Sequence, residues 1–353
     1  MHIPDGFLDP RTAMATGVLA ATGLGVALRQ VRRSLPPRRV PLLGLSAAFV
    51  FAAQMLNFPV IGGTSGHCLG GVLTAALLGP SAAVIVLSTV LTVQCFLFAD
   101  GGITALGANM FNMAMVGGVG GWAIYRLVGR LRNGLSGRLF AAMVAGWAGT
   151  VLASIACAGE LATSRTIEWP VIFPTMVGIH MLIGIGEGLI TTLVLAAIAQ
   201  ARPDLLGLAV PGPATPEPHE SSRPSASPAD PPWTASVFRE RERPGAVIMF
   251  GLLISLGLAL FVAPLACPWP DGLDKAAERL GFKDKVSETV AVRPLLPDYK
   301  IPNMRSPIVA TSVAGAAGTV FVFGLAWALA RALAPKPDTR PPSGTTAKLE
   351  SPG

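Results

Sequence analysis

The residues with the clearest chemical potential are Met1 and His2, together with His67 further along the chain. A free α-amine followed directly by histidine offers three nitrogens to one ion: the terminal amine, the His2 backbone nitrogen and the His2 imidazole. These donors lie close to one plane and leave one equatorial position, for which His67 is the candidate. Square-planar nitrogen ligation suits Ni(II) or Cu(II) better than Zn(II), Mg(II) or Ca(II). The alternative is that a histidine at the second position is simply solvated.

The composition indicates the surroundings of these residues. The 353-residue chain is 51% hydrophobic and only 13% charged, with a mean hydropathy of +0.57. These values predict an integral membrane protein. The net charge of +7 comes from basic residues in short loops between apolar segments. Such residues are orientation signals, and nucleic-acid binding is rejected. No signal peptide is visible before the first apolar run, so Met1 is expected to persist.

The first 202 residues contain seven apolar segments. They cover residues 12–28, 40–58, 68–78, 81–98, 108–127, 139–158 and 171–200. The third is too short to cross a bilayer alone, so we expect it to be tilted, supplemented by loop or enclosed in the bundle. Gly79-Pro80 separates it from the fourth. The basic loops alternate with the segments, which predicts a plasma-membrane protein with its N-terminus outside and its C-terminus in the cytoplasm.

The remaining residues form a second part. Residues 203–244 are rich in Pro, Ser, Glu and Arg, which predicts a disordered cytoplasmic linker. Residues 245–334 form an accessory module with two spans and an outer segment, and residues 335–353 form a cytoplasmic tail. The predicted fold is therefore an all-α integral membrane protein, with a seven-span bundle at residues 1–202 and a two-span accessory module.

Several polar residues lie in or beside the spans, mostly toward their outer ends. Each needs a partner in an apolar medium, and interhelical hydrogen bonding is the simplest role for any one of them. Their number also favours a polar site beneath the N-terminus. His180 and Glu187 are seven residues apart on one helix face, which permits an ion pair, a proton relay or separate pairing with backbone. We expect five residues to surround the ligands without binding the ion: Asn57, Ser65, Asn109, His180 and Glu187.

A rival interpretation is an intramembrane serine hydrolase. Residues 63–66, Gly-Thr-Ser-Gly, match a GxSG nucleophile turn, and His180 is a candidate base for Ser65. The match is short, and it leaves Met1-His2 and the accessory module without a role.

Four separated motifs carry a resemblance to a known family. They are MHIPDGF at the start, NFPVIGGTSGHCLGG at residues 57–71, ADGGITALGANMFNM at residues 99–113 and HMLIGIGEGLIT at residues 180–191. Together they resemble the nickel/cobalt-binding S component of energy-coupling-factor transporters over about residues 1–202. The accessory module resembles the small PDGLE-type subunit of the same systems, with PDGLD at residues 270–274 where the family more often ends the motif in glutamate.

The resemblance implies a transport subunit and not an enzyme. It implies that the ion is held by the amine of Met1, the nitrogens of His2 and the imidazole of His67. The chain has no GxxxxGK[ST] motif, so ATP hydrolysis is expected on a separate ATP-binding-cassette pair, joined through a coupling transmembrane subunit. Nickel is the expected cargo, with cobalt as the alternative, and no resident cofactor is expected. The outer PDGLD segment has no histidine or cysteine pair, so we expect it to promote loading or release.

Overall fold

The computed structural model describes residues 1–206, 244–286 and 294–334, and the described part is mainly helical. The first module contains α1 Pro10–Ser34, α2 Val40–Gln54, β1 Phe58–Val60, β2 Thr64–Gly66, α3 Gly71–Leu78, α4 Pro80–Val93, α5 Leu106–Met110, α6 Gly121–Gly129, α7 Gly134–Thr163 and α8 Trp169–Ala201. A π-helical segment, Gln94–Phe98, extends α4, and another, Phe111–Gly120, joins α5 to α6. The accessory module contains α9 Pro244–Gly257, its π-helical extension Leu258–Val262, α10 Gly272–Leu280 and α11 Pro307–Leu333.

Short 3-10 turns complete the architecture at Pro37–Arg39, Pro203–Leu206, Ala263–Leu265, Lys283–Lys285 and Pro297–Tyr299. The turn at Pro203–Leu206 lies at the start of the predicted linker. Leu206 is buried in a cluster with Leu73 and Leu195, and its carbonyl accepts a hydrogen bond from Arg138. Apolar contact therefore orders these four residues. Residues 207–243 of the predicted linker and the predicted tail, 335–353, lie outside the described residues.

The helix ends follow the local sequence. Asp9 caps α1 by accepting a hydrogen bond from the Thr12 backbone nitrogen at 2.8 Å, and Pro10 occupies the first helical position. The predicted break between the third and fourth segments is confirmed. Gly79 has φ +90°, a conformation that favours glycine, and Pro80 begins α4.

Among the residues that the structure describes, six helices are long and apolar enough to cross a membrane. They are Pro10–Ser34, Pro80–Phe98, Gly134–Thr163, Trp169–Ala201, Gly245–Leu265 and Pro307–Leu333, and Val40–Gln54 is a shorter apolar helix. The short α3 is buried along its first half, from Gly71 to Ala75, so the bundle encloses it. The all-α membrane fold is confirmed, and the count of seven plus two crossings stays a prediction.

Small residues allow the bundle helices to approach closely. The pair α7 and α8 packs along its length, and a Cβ added to Gly146 would lie only 2.9 Å from the Gly188 Cα. The accessory module packs on the first module in a similar way. A Cβ on Gly44 of α2 would lie 3.0 Å from the Phe323 carbonyl oxygen and 3.0 Å from the Trp327 Cβ of α11. Glycine therefore sets the distance at both interfaces.

The loop before His67 is a β-hairpin, which the sequence analysis did not predict. Strands β1 and β2 are antiparallel, with Phe58 opposite Gly66 and Val60 opposite Thr64. The turn at residues 61–63 needs left-handed backbone, since Gly62 has φ +97° and Gly63 has φ +71°. The hairpin directs the chain into the bundle at His67.

Candidate metal centre

The first seven residues fold back into one end of the bundle. Met1 is 3% exposed, and Ile3 and Phe7 are fully buried. Asn109 holds the segment at Ile3 through two hydrogen bonds: its Oδ1 accepts from the Ile3 nitrogen at 2.8 Å, and its Nδ2 donates to the Ile3 carbonyl at 3.1 Å. The Gly102 nitrogen donates to the same carbonyl at 2.8 Å. The chain start is therefore a fixed plug.

The bend that lets the plug turn inward lies at residues 4–6. Gly6 has φ +94°, and the Asp5 carboxylate accepts hydrogen bonds from the backbone nitrogens of Ile103, at 3.1 Å, and Thr104, at 2.8 Å. A Cβ on Gly102 would collide with the Asp5 backbone nitrogen. Residues 99–105 therefore form a cradle for the plug, in which Gly102 permits close backbone approach.

The three predicted ligands converge at the inner end of the plug. The Met1 amine nitrogen lies 2.8 Å from the His67 Nε2, and the His2 ring stacks on the His67 ring with centroids 5.1 Å apart and an interplanar angle of 21°. Residues 66 positions apart in the chain thus place an amine and two imidazoles together. Such donors suit borderline transition-metal ions.

Two elements fix the position of His67. The β-hairpin delivers it from one side, and Glu187 of α8 holds the backbone that follows it. The Glu187 carboxylate accepts from the Leu69 nitrogen at 2.7 Å and from the Gly70 nitrogen at 3.0 Å. Glu187 therefore acts through the loop and not on the ion, and it is separate from His180, whose Nδ1 lies 2.8 Å from the Met176 carbonyl oxygen. The two residues pair with backbone and form no ion pair with each other.

The His2 ring faces a carboxylate that the sequence analysis did not single out. Its Nδ1 lies 3.1 Å from Asp100 Oδ1, while its Nε2 is buried without a hydrogen-bond partner. A chelate that includes the His2 backbone nitrogen also needs Nδ1, since only that ring nitrogen closes a six-membered ring with the ion. Coordination of an ion by this nitrogen would replace its contact with Asp100.

The amine also has a carboxylate partner, and it comes from the accessory module. The Met1 nitrogen lies 2.6 Å from Asp271 Oδ2. The other oxygen, Oδ1, caps α10 by accepting from the Asp274 nitrogen at 2.8 Å. Asp271 is the first aspartate of the PDGLD motif, so the motif itself was the available signal. The outer segment, which is expected to promote loading or release, thus contacts a proposed ligand directly.

Burial and charge set the ionisation of these groups. Burial lowers the pKa of His67 well below its ordinary value of 6.5, and the positive amine and His2 lower it further. Burial also lowers the pKa of His2, against the opposing effect of Asp100. Burial alone would raise the pKa of Asp271, but the positive amine and His67 together hold it below its ordinary value. The imidazoles are thus neutral at neutral pH, in the form that binds metal.

The accessory module covers the site by docking on the hairpin. The Ser65 hydroxyl donates to the Trp269 carbonyl at 2.7 Å, and the Ser65 nitrogen donates to the Pro270 carbonyl at 2.8 Å. The Asn57 carbonyl accepts from the Cys267 nitrogen at 2.8 Å. Ser65 and Asn57 therefore bind the accessory module and make no contact with the proposed ligand nitrogens among these hydrogen bonds. Ser65 bonds to backbone and not to His180, so no nucleophile and base pair is formed.

His180 packs against the accessory module at the start of α10. A Cβ added to Gly272, the first residue of α10, would lie 2.7 Å from the His180 Cε1. Only glycine lets the accessory helix pack so close to the buried ring. Of the five residues predicted to surround the ligands, Asn109 and Glu187 thus position ligand-bearing segments, and Asn57, Ser65 and His180 contact the accessory module.

Side chains alone do not make this centre. Within the described parts of the chain, no group of three or more His, Cys, Asp or Glu side chains is arranged to hold a metal ion. The candidate centre adds the terminal amine of Met1 to the imidazoles of His2 and His67, and an amine is not a side-chain donor.

Comparison with known proteins agrees with this architecture. Residues 2–205 match the family model for the cobalt uptake substrate-specific transmembrane region, and residues 245–335 match the PDGLE domain. The chain is 36% identical over 335 residues to the putative fused nickel transport protein NikMN of Archaeoglobus fulgidus, covering 94% of this chain and 98% of that protein. It is 37% identical over 234 residues to the fused nickel transport protein NikMN of Rhodobacter capsulatus, covering 62% of this chain and 67% of that protein.

A solved structure supports the first module in particular. The crystal structure of a truncated transition metal transporter is 36% identical, covers 57% of this chain and 99% of that chain, and superposes with a TM-score of 0.53. The relatives carry the names of transport proteins, which supports a transport subunit rather than an enzyme and leaves the serine hydrolase alternative without support. The chain belongs to the family of the cobalt uptake substrate-specific transmembrane region, as an S component fused to a PDGLE accessory module.

Proposed function

We propose that this protein is the substrate-capture membrane subunit of an ATP-driven nickel importer, with cobalt as the alternative ion, and that the Met1 amine, the His2 nitrogens and His67 bind the ion. The observation that carries the proposal is the 2.8 Å distance between the Met1 nitrogen and the His67 Nε2. Two segments distant in sequence are held rigidly so that an amine and an imidazole meet.

The donor set favours nickel. An amine, a deprotonated backbone nitrogen and two imidazoles in one plane form a strong-field square, which suits Ni(II) better than Co(II), while the Irving–Williams order separates the two ions only modestly. The relatives named as fused nickel transport proteins support this choice. Asp271 and Asp100 add negative charge beside the centre, which favours the approach of a divalent cation.

The energy source is proposed to lie on other subunits. The sequence has no GxxxxGK[ST] motif, so we assign nucleotide binding to an ATP-binding-cassette pair and its attachment to a coupling transmembrane subunit. Membrane lipid surrounds the spans. The basic loops support an N-terminus outside the cell and a C-terminus in the cytoplasm. The proposed division is a metal-binding bundle at 1–202, a linker at 203–244, an accessory module at 245–334 and a tail at 335–353.

Metal analysis of the purified full-length protein tests the proposal. The protein should bind one Ni(II) per chain and bind it more tightly than Co(II) in a competition titration. His67→Ala should lose this binding, while Asn57→Ala, a change at a residue that contacts the accessory module through its backbone, should retain it. Equal nickel binding by His67→Ala and wild type would reject the proposed site.

A further inference from the structure

A cavity of about 440 Å³ lies between the first turns of α1 and the last turns of α7. Thr166, which follows α7, donates a hydrogen bond to the Phe7 carbonyl, so the cavity and the plug share one end of the bundle. Arg11 and Thr163 line the cavity and are exposed, whereas Glu160 lines it and is only 7% exposed. The cavity therefore leads from the surface to a buried carboxylate.

Glu160 is unusual because it is an acidic side chain buried in an apolar helix. The Asn112 Nδ2 donates to Glu160 Oε2 at 2.6 Å. The remaining oxygens of the pair, Glu160 Oε1 and Asn112 Oδ1, are buried and have no hydrogen-bond partner among the described residues. A buried carboxylate is costly unless donors or an opposite charge satisfy it. Two unpaired acceptor oxygens on two hydrogen-bonded side chains thus form a place for a cation.

The donors of this pair indicate which cation fits. A carboxylate and an amide oxygen are hard donors, which suit hydrated divalent ions and hold Ni(II) less firmly than imidazole and amine nitrogens do. Thr12 and Thr16 are buried and add hydroxyl groups to the cavity wall. Arg11 brings a positive charge to the mouth, where it interacts electrostatically with Asp9, the cap of α1. The cavity is therefore suited to weak and reversible binding of a divalent ion.

One helical turn separates the Glu160 carboxylate from the layer that holds the amine. Cys157 lies three residues before Glu160 on α7, a spacing that places two side chains side by side, about 5–6 Å apart. Cys157 is fully buried in the apolar cluster that contains Met1 and Ile3. The Cys157 thiol interacts electrostatically with both the Glu160 carboxylate and the N-terminal amine. An ion at Glu160 is therefore one short step from the proposed ligands.

We propose that Glu160 and Asn112 form an entry site, which takes a divalent transition-metal ion from the cavity and passes it to the nitrogens of Met1, His2 and His67. The entry role rests on the proposed function, whereas the oxygen site itself does not. A negative charge at the end of a low-dielectric cavity raises the local concentration of cations. A residue that contacts the ion only in transit changes the rates of binding and release by the same factor and leaves the equilibrium Kd unchanged.

Two conservative variants of the full chain change the proposed oxygen donors in opposite directions. Glu160→Gln keeps the size and one oxygen but removes the charge. Asn112→Asp replaces the amide by a second carboxylate, which strengthens a cation site and weakens a merely structural pair, because like charges then face each other. Glu168→Gln is the matched control, since it removes a carboxylate at the exposed N-cap of α8, outside the cavity.

Binding of Mn(II) alone tests the oxygen site. Mn(II) prefers oxygen donors, and electron paramagnetic resonance counts the free ion. The titration uses His67→Ala as the background, so that the proposed nitrogen site does not contribute. Glu160→Gln in this background should weaken Mn(II) binding roughly tenfold and Asn112→Asp should tighten it, since affinity follows the number of charged ligands. Glu168→Gln should leave the titration unchanged.

Stopped-flow mixing with Ni(II) tests the entry role. Glu160→Gln in the otherwise wild-type chain should lower the association rate constant about tenfold, at the low end of the gain that a focused charge provides. The rate at which a chelator removes bound Ni(II) should fall by the same factor, and the equilibrium Kd should stay as in wild type. A residue with only a structural role would raise the Kd and would not slow both rates equally.

The outcomes distinguish the oxygen site from the entry role. If Mn(II) binding in the His67→Ala background is the same with and without Glu160→Gln, the oxygen site is overturned. If Mn(II) binding depends on Glu160 but the Ni(II) rates do not, the entry role is overturned and the proposed function stands. If wild type binds no Ni(II), the proposed function and the entry role fail together, and the Mn(II) titration still decides the oxygen site.

Discussion

The Asp271 carboxylate lies 2.6 Å from the Met1 amine, although the two residues are 270 positions apart in the chain. This ion pair joins the outer segment of the accessory module to the tip of the N-terminal plug. It places the start of the chain, the hairpin residue His67 and the PDGLD motif around one point. The predictions below follow from that arrangement.

Extension of the N-terminus should abolish metal binding. One glycine added before Met1 converts its amine to an amide and leaves His2 as the third residue. The buried plug has no room to shift, since Ile3 is fully buried and bonded to Asn109. The Kd for Ni(II) should rise about a hundredfold or more. The same glycine added at the C-terminus is the control, and an N-terminally extended chain with wild-type affinity would exclude the amine as a ligand.

The two buried histidines should differ sharply on substitution. His67→Ala removes a proposed ligand, so the affinity for Ni(II) should fall about a hundredfold or more. His180→Ala removes a ring that supports Gly272 of the accessory module, so it should weaken affinity far less. Isothermal titration with Ni(II) compares them. An essential His180 and a dispensable His67 would place the site elsewhere.

Loss of the Asn109 side chain should loosen the plug. Asn109→Ala leaves the buried Ile3 nitrogen without its 2.8 Å partner and removes one of two donors to the Ile3 carbonyl. A buried unpaired polar group costs about 1–3 kcal/mol, so the first residues should exchange amide hydrogens faster and nickel affinity should fall. Asn57→Ala is the matched control. Unchanged exchange at residues 1–7 in Asn109→Ala would show that other contacts hold the plug.

The stability of the metal-free protein should depend on pH in a defined direction. Burial lowers the pKa of His67 below its ordinary value of 6.5, so the unfolded chain takes up a proton at this residue first as the pH falls. The free energy of unfolding should therefore rise with pH below about 6.5 and level off above it. The lowered pKa of Asp271 affects stability in a separate pH range, below the ordinary carboxyl pKa of 3.8. In that range the free energy of unfolding should again fall as the pH falls.

Thermal unfolding between about pH 5 and about pH 7.5 measures the histidine effect. His67→Gln, which keeps a polar side chain but does not titrate, should show a shallower dependence than wild type. A midpoint that rises on acidification would mean that the folded protein holds the imidazole in its charged form. Nickel affinity should still increase with pH, because the ammonium group of Met1 and the His2 amide each lose a proton on binding.

The helices could be predicted from sequence because their signals are local. Long apolar runs mark the spans, and Gly79-Pro80 marks a break that needs left-handed backbone and then a helix start. Met1, His2 and His67 could be proposed as ligands because their donor types are unusual in combination. The contacts of Met1 and His2 with His67 could not be predicted, because they depend on how the N-terminal plug folds into the bundle.

The contacts of the accessory module could not be predicted in this way. Asp271 and Tyr299 meet the first module across 270 and 199 residues, and neither contact leaves a periodic pattern in the sequence. Helix α10 lies in the outer segment and was not predicted, because it is only nine residues long. The contact of Asp100 with His2 could have been proposed from the sequence. Asp100 is a carboxylate in a glycine-rich loop, and a carboxylate is a common partner for an imidazole that binds metal.

The coordination of the bound ion tests the central claim most directly. X-ray absorption at the nickel edge, on full-length protein with Met1 as its first residue, reports the number, type and geometry of the donors. We expect four nitrogen donors in a square plane, and the loss of that signature in both His67→Ala and the N-terminally extended chain. Six-coordinate nickel with oxygen donors, or a spectrum unchanged by either alteration, would contradict it.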